Sequence, residues 1–307
     1  MIVDVKIAEK MLVIAPDIRI WSARTKMQPE DYGMERDSLP PEELATLGVK
    51  KLCPPEKLRP FAMLKSRAVS LLSRTGVPFL PGSWLIPVDK AGEMSRALET
   101  IREDFNHAKD SFMAEYDATC ADWISQHPGY SGMLRSSMAS PDYVRSRISF
   151  AWRAFSLRMS RHSNIRDELE HLGDAIFADI AKEANVVRRE VFTDRDVVTQ
   201  KALSPIRNLH GKLSELGFVH PYVANAAALV RSCMEQMPPK GNIEGVHLAR
   251  VQAMLALLCD PEALEDCAMS MAKGTDPVSL LSPVEETGPA MPPAQLRSYI
   301  RNDAGLW

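Results

Sequence analysis

The sequence has few cysteines for its 307 residues, and they are not arranged to hold a metal ion. The five cysteines are scattered, with no CxxC pair and no other spacing typical of metal ligands. An odd, irregular set of this kind favours a reduced, cytoplasmic chain with its thiols in the core. The cysteines are Cys53, Cys120, Cys233, Cys259 and Cys267.

Long hydrophobic runs are also missing. The longest apolar run in the later part of the chain covers residues 253–259, whereas a membrane-spanning helix needs roughly 20 apolar residues. The N-terminal stretch carries Asp4 and Glu9 and lacks the basic region and apolar core of a secretion signal. We therefore expect a cytoplasmic protein without a membrane span.

Neither an excess of one charge nor a complete catalytic motif is present. The 37 lysines and arginines nearly balance the 40 acidic residues, so affinity for nucleic acid would need a local basic patch. The stretch from Gly129 to Gly132 is one residue short of a G-x-S-x-G elbow. Lys273-Gly274-Thr275 reverses the order found in a P-loop. The sequence predicts no catalytic residue, no metal site and no cofactor, and favours a non-enzymatic protein.

The periodicity of apolar residues predicts a mainly α-helical protein with a small α+β region at the N-terminus. Two short strands are expected around the turn at Pro81-Gly82-Ser83. We predict four regions, namely an α/β head (1–88), a long antiparallel helical hairpin (89–200), a C-terminal helical region (201–272) and a Pro-rich mobile tail (273–307).

The predicted hairpin depends on two narrow apolar stripes. The first begins after Asp89 and recurs at helical spacing. Its members are Met94, Leu98, Ile101, Phe105 and Phe112. A second helix starts at Ser140-Pro141, and a third stripe covers residues 165–191. Because so thin a stripe cannot stabilise a long helix alone, we expect the long helices to pack against each other.

Each long helix also carries a carboxylate three residues before a histidine, as in di-iron helical bundles. The pairs are Asp104 with His107 and Glu168 with His171. At about 100° per residue both pairs fall outside the apolar stripe, so we expect them to face water and to bind no metal.

Arginines are concentrated between Asp142 and Asp167, where the sequence has six of them and no acid. In a continuous helix one face would hold Arg147, Arg158 and Arg161 beside Tyr143 and Phe150, opposite a buried stripe. Arginines next to exposed aromatic rings can bind phosphates and stack on bases. A charge contact with a neighbouring helix or with a partner protein is the alternative, and the neutral overall balance favours it.

A second candidate surface lies where an apolar run ends at Trp21 and continues as Ser22-Ala23-Arg24-Thr25-Lys26. The pattern is typical of a strand that ends in a turn. We expect Trp21 to anchor the strand in the core, and Arg24 and Lys26 to face solvent or a partner.

Three stretches of the N-terminal third resemble a bacterial family of unknown function. They are WSARTK (residues 21–26), LPPEELATLGVKKLCPPEKLRPFAMLKSRA (residues 39–68) and GVPFLPGSWLIP (residues 76–87). The resemblance extends over roughly residues 10 to 270 and is sharpest before residue 90. The family is carried on integrative conjugative elements, large plasmids and some phages, and no catalytic residues are established for it.

Genes beside members of that family often encode a MoxR- or cobaltochelatase-type AAA+ ATPase and a protein with a von Willebrand A domain. The resemblance therefore implies a scaffold or adaptor that works with these two protein partners. The alternative is a DNA-binding accessory protein that uses the arginine and aromatic helix face.

Overall fold

The computed structural model describes residues 8–33, 45–157 and 171–281. Helices dominate this part of the chain, and the predicted class, mainly α with a small α+β region, is confirmed. The helices are α1 (Arg59–Thr75), α2 (Val88–Ser125), α3 (Ser131–Ser137), α4 (Pro141–Arg147), α5 (Leu172–Val187), α6 (Ser204–Leu216), α7 (Pro221–Glu235), α8 (Gly245–Leu258), α9 (Pro261–Ala272) and α10 (Pro277–Leu280). No helix within the described ranges is long and apolar enough to cross a membrane.

The strands form one four-stranded sheet and two small ribbons. They are β1 (Met11–Arg19), β2 (Arg24–Lys26), β3 (Val49–Lys51), β4 (Val77–Pro78), β5 (Trp84–Pro87), β6 (Ser149–Ser156), β7 (Val197–Thr199) and β8 (Asn242–Glu244). The sheet is antiparallel in the order β4-β5-β1-β6, and β2 pairs with β3 and β7 with β8. The predicted turn at Pro81-Gly82-Ser83 does join two strands, β4 and β5.

The four-stranded sheet lies between two layers of helices. Alternate residues of β1 point to opposite faces, so Val13 joins one hydrophobic core and Ile14 the other. Leu85 and Ile86 of β5 divide in the same way. One core contains helices α1, α2 and α4, and the other contains α5 to α9. Because both faces of β1 are covered, its sequence shows an apolar run instead of an alternation.

Tight packing at Gly76 joins α1 to β4. A Cβ atom at this position would clash with Ile86 Cδ1 and lie 2.7 Å from the Leu85 carbonyl oxygen. A side chain is therefore excluded by the neighbouring strand β5, and not by the backbone conformation of the glycine.

The long helix α2 is present and buries the predicted stripe, but its neighbours differ from those of the predicted hairpin. Met94, Leu98 and Phe105 pack in the core shared with α1. Leu172 and Ile180 of α5 pack in the core on the other side of the sheet. The two stripes therefore do not face each other. Periodicity reveals that a helix has an apolar stripe, but not which surface covers it.

The helix predicted from Ser140 is also shorter than expected. The predicted N-cap at Ser140 is confirmed, since the Ser140 hydroxyl accepts a hydrogen bond from the Tyr143 N–H. The helix ends at Arg147, however, and residues 149–156 form β6, which pairs with β1 along its whole length. Aromatic residues at positions 150, 152 and 155 suit a strand, and the pairing with β1 decides between the two structures.

The second core consists of helices α5 to α9 and one face of the sheet, and a buried ion cluster connects two of these helices. Lys212 of α6 is 2 % exposed, and its ammonium donates hydrogen bonds to Asp179 and, at 2.7 Å, to Glu183 of α5. The start of the predicted tail also joins this core through Leu281, which is 1 % exposed. The tail from residue 282 onward lies outside the described residues.

Candidate functional site

The ribbon formed by β2 and β3 presents a row of cations on one face. Arg24 lies directly opposite Lys51, and Lys26 lies opposite Val49. Since side chains alternate along a strand, these four residues share a face, and all of them are exposed. Like charges directly opposite each other destabilise a ribbon unless an anion lies between them.

The other face of the ribbon is attached to the protein by a buried ion pair. The Lys50 ammonium lies 2.6 Å from both carboxylate oxygens of Asp31, and both side chains are buried. Asp31 also accepts a hydrogen bond of 2.7 Å from the Gln28 N–H. Burial by itself raises the pKa of Asp31, but the hydrogen bonds from Gln28 and Lys50 outweigh it and lower that pKa below its usual value. The ribbon is therefore held firmly from one side.

The chain enters the ribbon through a buried tryptophan and a strained alanine. Trp21 packs against Phe112 and Tyr116, with ring centroids 6.5 and 5.8 Å apart, as its predicted anchoring role requires. Ala23 follows in the left-handed region with φ = 51°, and its carbonyl accepts a 2.8 Å hydrogen bond from the Leu52 N–H. This conformation costs an alanine about 1–2 kcal/mol. It turns the chain so that Arg24 and Lys26 face outward, as expected.

A pocket of about 220 Å³ opens between this ribbon and the start of α1. Arg24, Lys51 and Arg59 form its rim. Buried Ala23 and Cys53 form its floor, and the rest of its lining consists of Ser22, Pro55, Leu58 and Ala62. Burial raises the pKa of the Cys53 thiol to about 11. The thiol is therefore protonated at neutral pH, and Cys53 lines the pocket without acting as a nucleophile.

We call Arg24, Lys26, Lys51 and Arg59 the basic face. None of the four has an ion-pair partner among the described residues. Two nearby cations do have ion-pair partners, because Lys57 pairs with Glu115 at 2.8 Å and Arg67 with Asp104 at 3.0 Å. Within the described ranges, no acidic side chain lines the pocket. Among the described residues, the basic face is thus a concentration of positive charge without ion-pair partners, on a chain whose net charge is −3.

The arginine and aromatic face predicted for the helix after Ser140 is not brought together as expected. Tyr143 is 48 % exposed, and the Arg147 guanidinium lies 5.1 Å from its ring centroid. Phe150 is instead buried in β6 and packs against Phe105, with ring centroids 5.5 Å apart. Arg158 and Arg161 lie outside the described residues. The strand that follows Arg147 is the reason that Phe150 points away from Tyr143.

The carboxylate and histidine pair on α2 faces outward, as its helical position predicts, whereas the second pair lies only partly within the described residues. Asp104 and His107 are exposed, and Asp104 is already paired with Arg67. His171 is exposed and lies 3.2 Å from Asp174, while Glu168 lies outside the described residues. In the part of the chain that the structure describes, no three potential ligands come close enough to hold a metal ion.

Sequence analysis found half of the basic face, Arg24 and Lys26, and missed Lys51 and Arg59. The missing pair lies in the stretch KKLCPPEKLRP (residues 50–60), where several cations alternate with prolines. Nothing in that stretch indicates that Lys51 faces Arg24, because their contact depends on a pairing between distant strands.

Comparisons with known proteins give one match. No curated protein and no solved structure matches the chain. The model of a family described as "Protein of unknown function (DUF3150)" matches residues 8–260. The matched region contains the sheet, the core shared by α1, α2 and α4, most of the second core and the whole basic face. This match confirms the predicted membership of an uncharacterised family, and the chain belongs to the DUF3150 family.

Proposed function

We propose that the protein is a non-enzymatic adaptor that docks an acidic protein surface on its basic face. The observation that supports this proposal is the cluster of four exposed cations without ion-pair partners in the described residues. The partners that we propose are a MoxR- or cobaltochelatase-type AAA+ ATPase and a protein with a von Willebrand A domain, encoded on the same mobile element.

Electrostatics favours a docking role for such a surface. Arg24 and Lys51 repel each other across the ribbon, and an acidic partner would relieve this repulsion. A charged patch of this kind speeds the encounter with a partner of opposite charge and rejects partners of like charge. The contribution of exposed charges also falls as salt is added, so the proposed complex should weaken at high ionic strength.

The test is co-purification of the full chain with the neighbouring ATPase and von Willebrand A domain protein, in each nucleotide state. The variant Arg24→Glu/Lys51→Glu replaces two of the four cations of the basic face with acids, so that the charges of this face cancel. Lys201→Glu/Lys240→Glu is the matched control, because both lysines are exposed and lie in the C-terminal part of the chain. We expect the first variant to lose the complex and the control to retain it. Failure of the unaltered chain to co-purify in every nucleotide state would refute the proposal.

Nucleic-acid binding is the alternative proposal, and the exposed pair Tyr143 and Arg147 favours it. An arginine beside an exposed ring can contact a phosphate while the ring stacks on a base. The test is a mobility-shift series against salt, with Arg147→Ala/Arg158→Ala/Arg161→Ala as the variant. Binding that falls steeply with salt and is lost in the variant would support this alternative. Equal binding by the variant and the parent chain would eliminate it.

A further inference from the structure

The pocket beside the ribbon is lined by both cationic and apolar side chains. Its rim carries Arg24, Lys51 and Arg59, and the rest of its lining consists of apolar side chains, the protonated Cys53 thiol and the Ser22 hydroxyl. Resting on the adaptor function proposed above, we propose that this pocket receives one apolar side chain from a partner segment. The residues that flank that side chain are acidic, and their carboxylates pair with the three cations of the rim.

The size of the pocket fits a single side chain. An apolar cavity of about 150 Å³ can hold a benzene molecule. The pocket measures about 220 Å³, which is sufficient for the side chain of a leucine, methionine or phenylalanine. A partner residue that fills it removes apolar surface from water, while the rim cations stay at the edge of the contact.

The surroundings of the pocket resemble a protein interface. Met63 is 62 % exposed and lies one helical turn after Arg59 on α1, so the two side chains share a face. Val49 is 56 % exposed and lies on the ribbon beside Lys51. Methionine and arginine are enriched at the centres of protein interfaces, and methionine adapts easily to the shape of a partner.

The lining favours a peptide over a nucleic acid. Sites for single-stranded nucleic acid usually stack bases on aromatic rings. Among the described residues, none that line this pocket is aromatic. Aliphatic walls with cations at the rim match an apolar side chain between carboxylates more closely than they match a base.

The walls of the pocket are already held in place. The Trp123 indole N–H donates a 3.1 Å hydrogen bond to the Lys51 carbonyl, and the Leu52 N–H donates to the Ala23 carbonyl. The buried ion pair between Lys50 and Asp31 holds β3 in place from the opposite face of the ribbon. A preformed site binds without the cost of ordering its own backbone.

The experiment selects a displayed library of random short peptides on the full-length chain. We expect the enriched peptides to be acidic with one apolar residue between the acids. Ala62→Trp narrows the pocket at an exposed helical position, and Ala256→Trp is the matched control on an exposed position of α8. Ala62→Trp should keep the preference for acids and lose the preference for the apolar residue, and the control should keep both preferences.

Fluorescence anisotropy then measures the enriched peptide and its alanine replacement on each variant. We expect the apolar-to-alanine change to weaken binding about tenfold on the unaltered chain and to have little effect on Ala62→Trp. Selection of acids without an apolar residue would overturn the pocket proposal and leave the adaptor proposal standing. No enrichment, or an oligonucleotide that competes for the pocket and is excluded by Ala62→Trp, would also overturn it. Loss of co-purification in the complex test is a separate result and concerns the adaptor function.

Discussion

The two faces of the β2–β3 ribbon carry similar cations in different surroundings. Lys50 points inward and has both oxygens of Asp31 as acceptors, whereas its chain neighbour Lys51 points outward, opposite Arg24. A buried charge must be paired because its desolvation is expensive. An exposed charge is solvated and needs no partner for folding. The difference separates cations that hold the fold from cations that are available to another molecule.

Lys212 extends this comparison to the second core. Its side chain is almost completely buried, and its two carboxylate partners lie on the same face of the neighbouring helix α5. Buried Lys50 and Lys212 are therefore both paired with carboxylates, while the cations of the basic face have no ion-pair partner in the part of the chain that the structure describes. Mutations at the two kinds of position should have opposite consequences for stability and for binding.

The largest effect is expected at Lys212. Lys212→Met leaves the carboxylates of Asp179 and Glu183 next to each other without a cation, and should lower the free energy of unfolding by about 3–5 kcal/mol. Urea denaturation followed by circular dichroism measures the change. The control is Lys212→Met/Asp179→Asn/Glu183→Gln, which removes all the charges and should recover much of the loss. Equal stability of Lys212→Met and the parent would show that the cluster does not hold the helices together.

The next effect distinguishes the neighbours Lys50 and Lys51. Lys50→Met removes the ammonium from a buried carboxylate that keeps its bond from Gln28, and should cost about 2 kcal/mol. Lys51→Met removes an exposed charge that has no ion-pair partner within the described ranges, and should change stability by less than about 0.5 kcal/mol. Both are measured by urea denaturation. Similar losses for the two variants would contradict the division between the faces of the ribbon.

The contrast between Lys50 and Lys51 also marks a limit of sequence analysis. Periodicity found α2 through its stripe, and the Ser140-Pro141 cap found the start of α4. The sequence analysis missed β6, because residues 149–156 become a strand only by pairing with β1, which is distant in the sequence. For the same reason, only two of the four residues of the basic face were predicted. Arg24 and Lys26 follow a recognisable strand end, but the position of Lys51 opposite Arg24 depends on long-range pairing.

The pH dependence of stability is a smaller test of the buried face. Because the pKa of Asp31 is lower in the folded protein, its contribution to stability is complete above its unfolded pKa, about 3.9, and is lost as the pH falls through the folded value. Asp31→Asn removes this contribution. The stability difference between the parent and this variant should therefore be constant near neutral pH and shrink in acid. Urea denaturation across this pH range measures it, and a difference that stays constant into acid would contradict the assignment.

The smallest change in stability is expected at Ala23, where the two faces meet. Ala23→Gly relieves a left-handed conformation worth about 1–2 kcal/mol. It also removes a buried methyl group worth about 0.8 kcal/mol and gives the unfolded chain more freedom, worth about 0.4–1 kcal/mol. These contributions nearly cancel, so the free energy of unfolding should change by less than about 1 kcal/mol.

Binding should respond differently, because the lost methyl group belongs to the floor of the pocket. We expect Ala23→Gly to weaken the enriched peptide about threefold and to have no effect on its alanine replacement, which does not reach the floor. Anisotropy and urea denaturation of the same preparation separate the two effects. If affinity is unchanged, the floor is not in contact with the peptide and the basic face acts through charge alone. If affinity and stability fall together, Ala23 supports the ribbon, and its strained backbone is a requirement of the fold instead of the site.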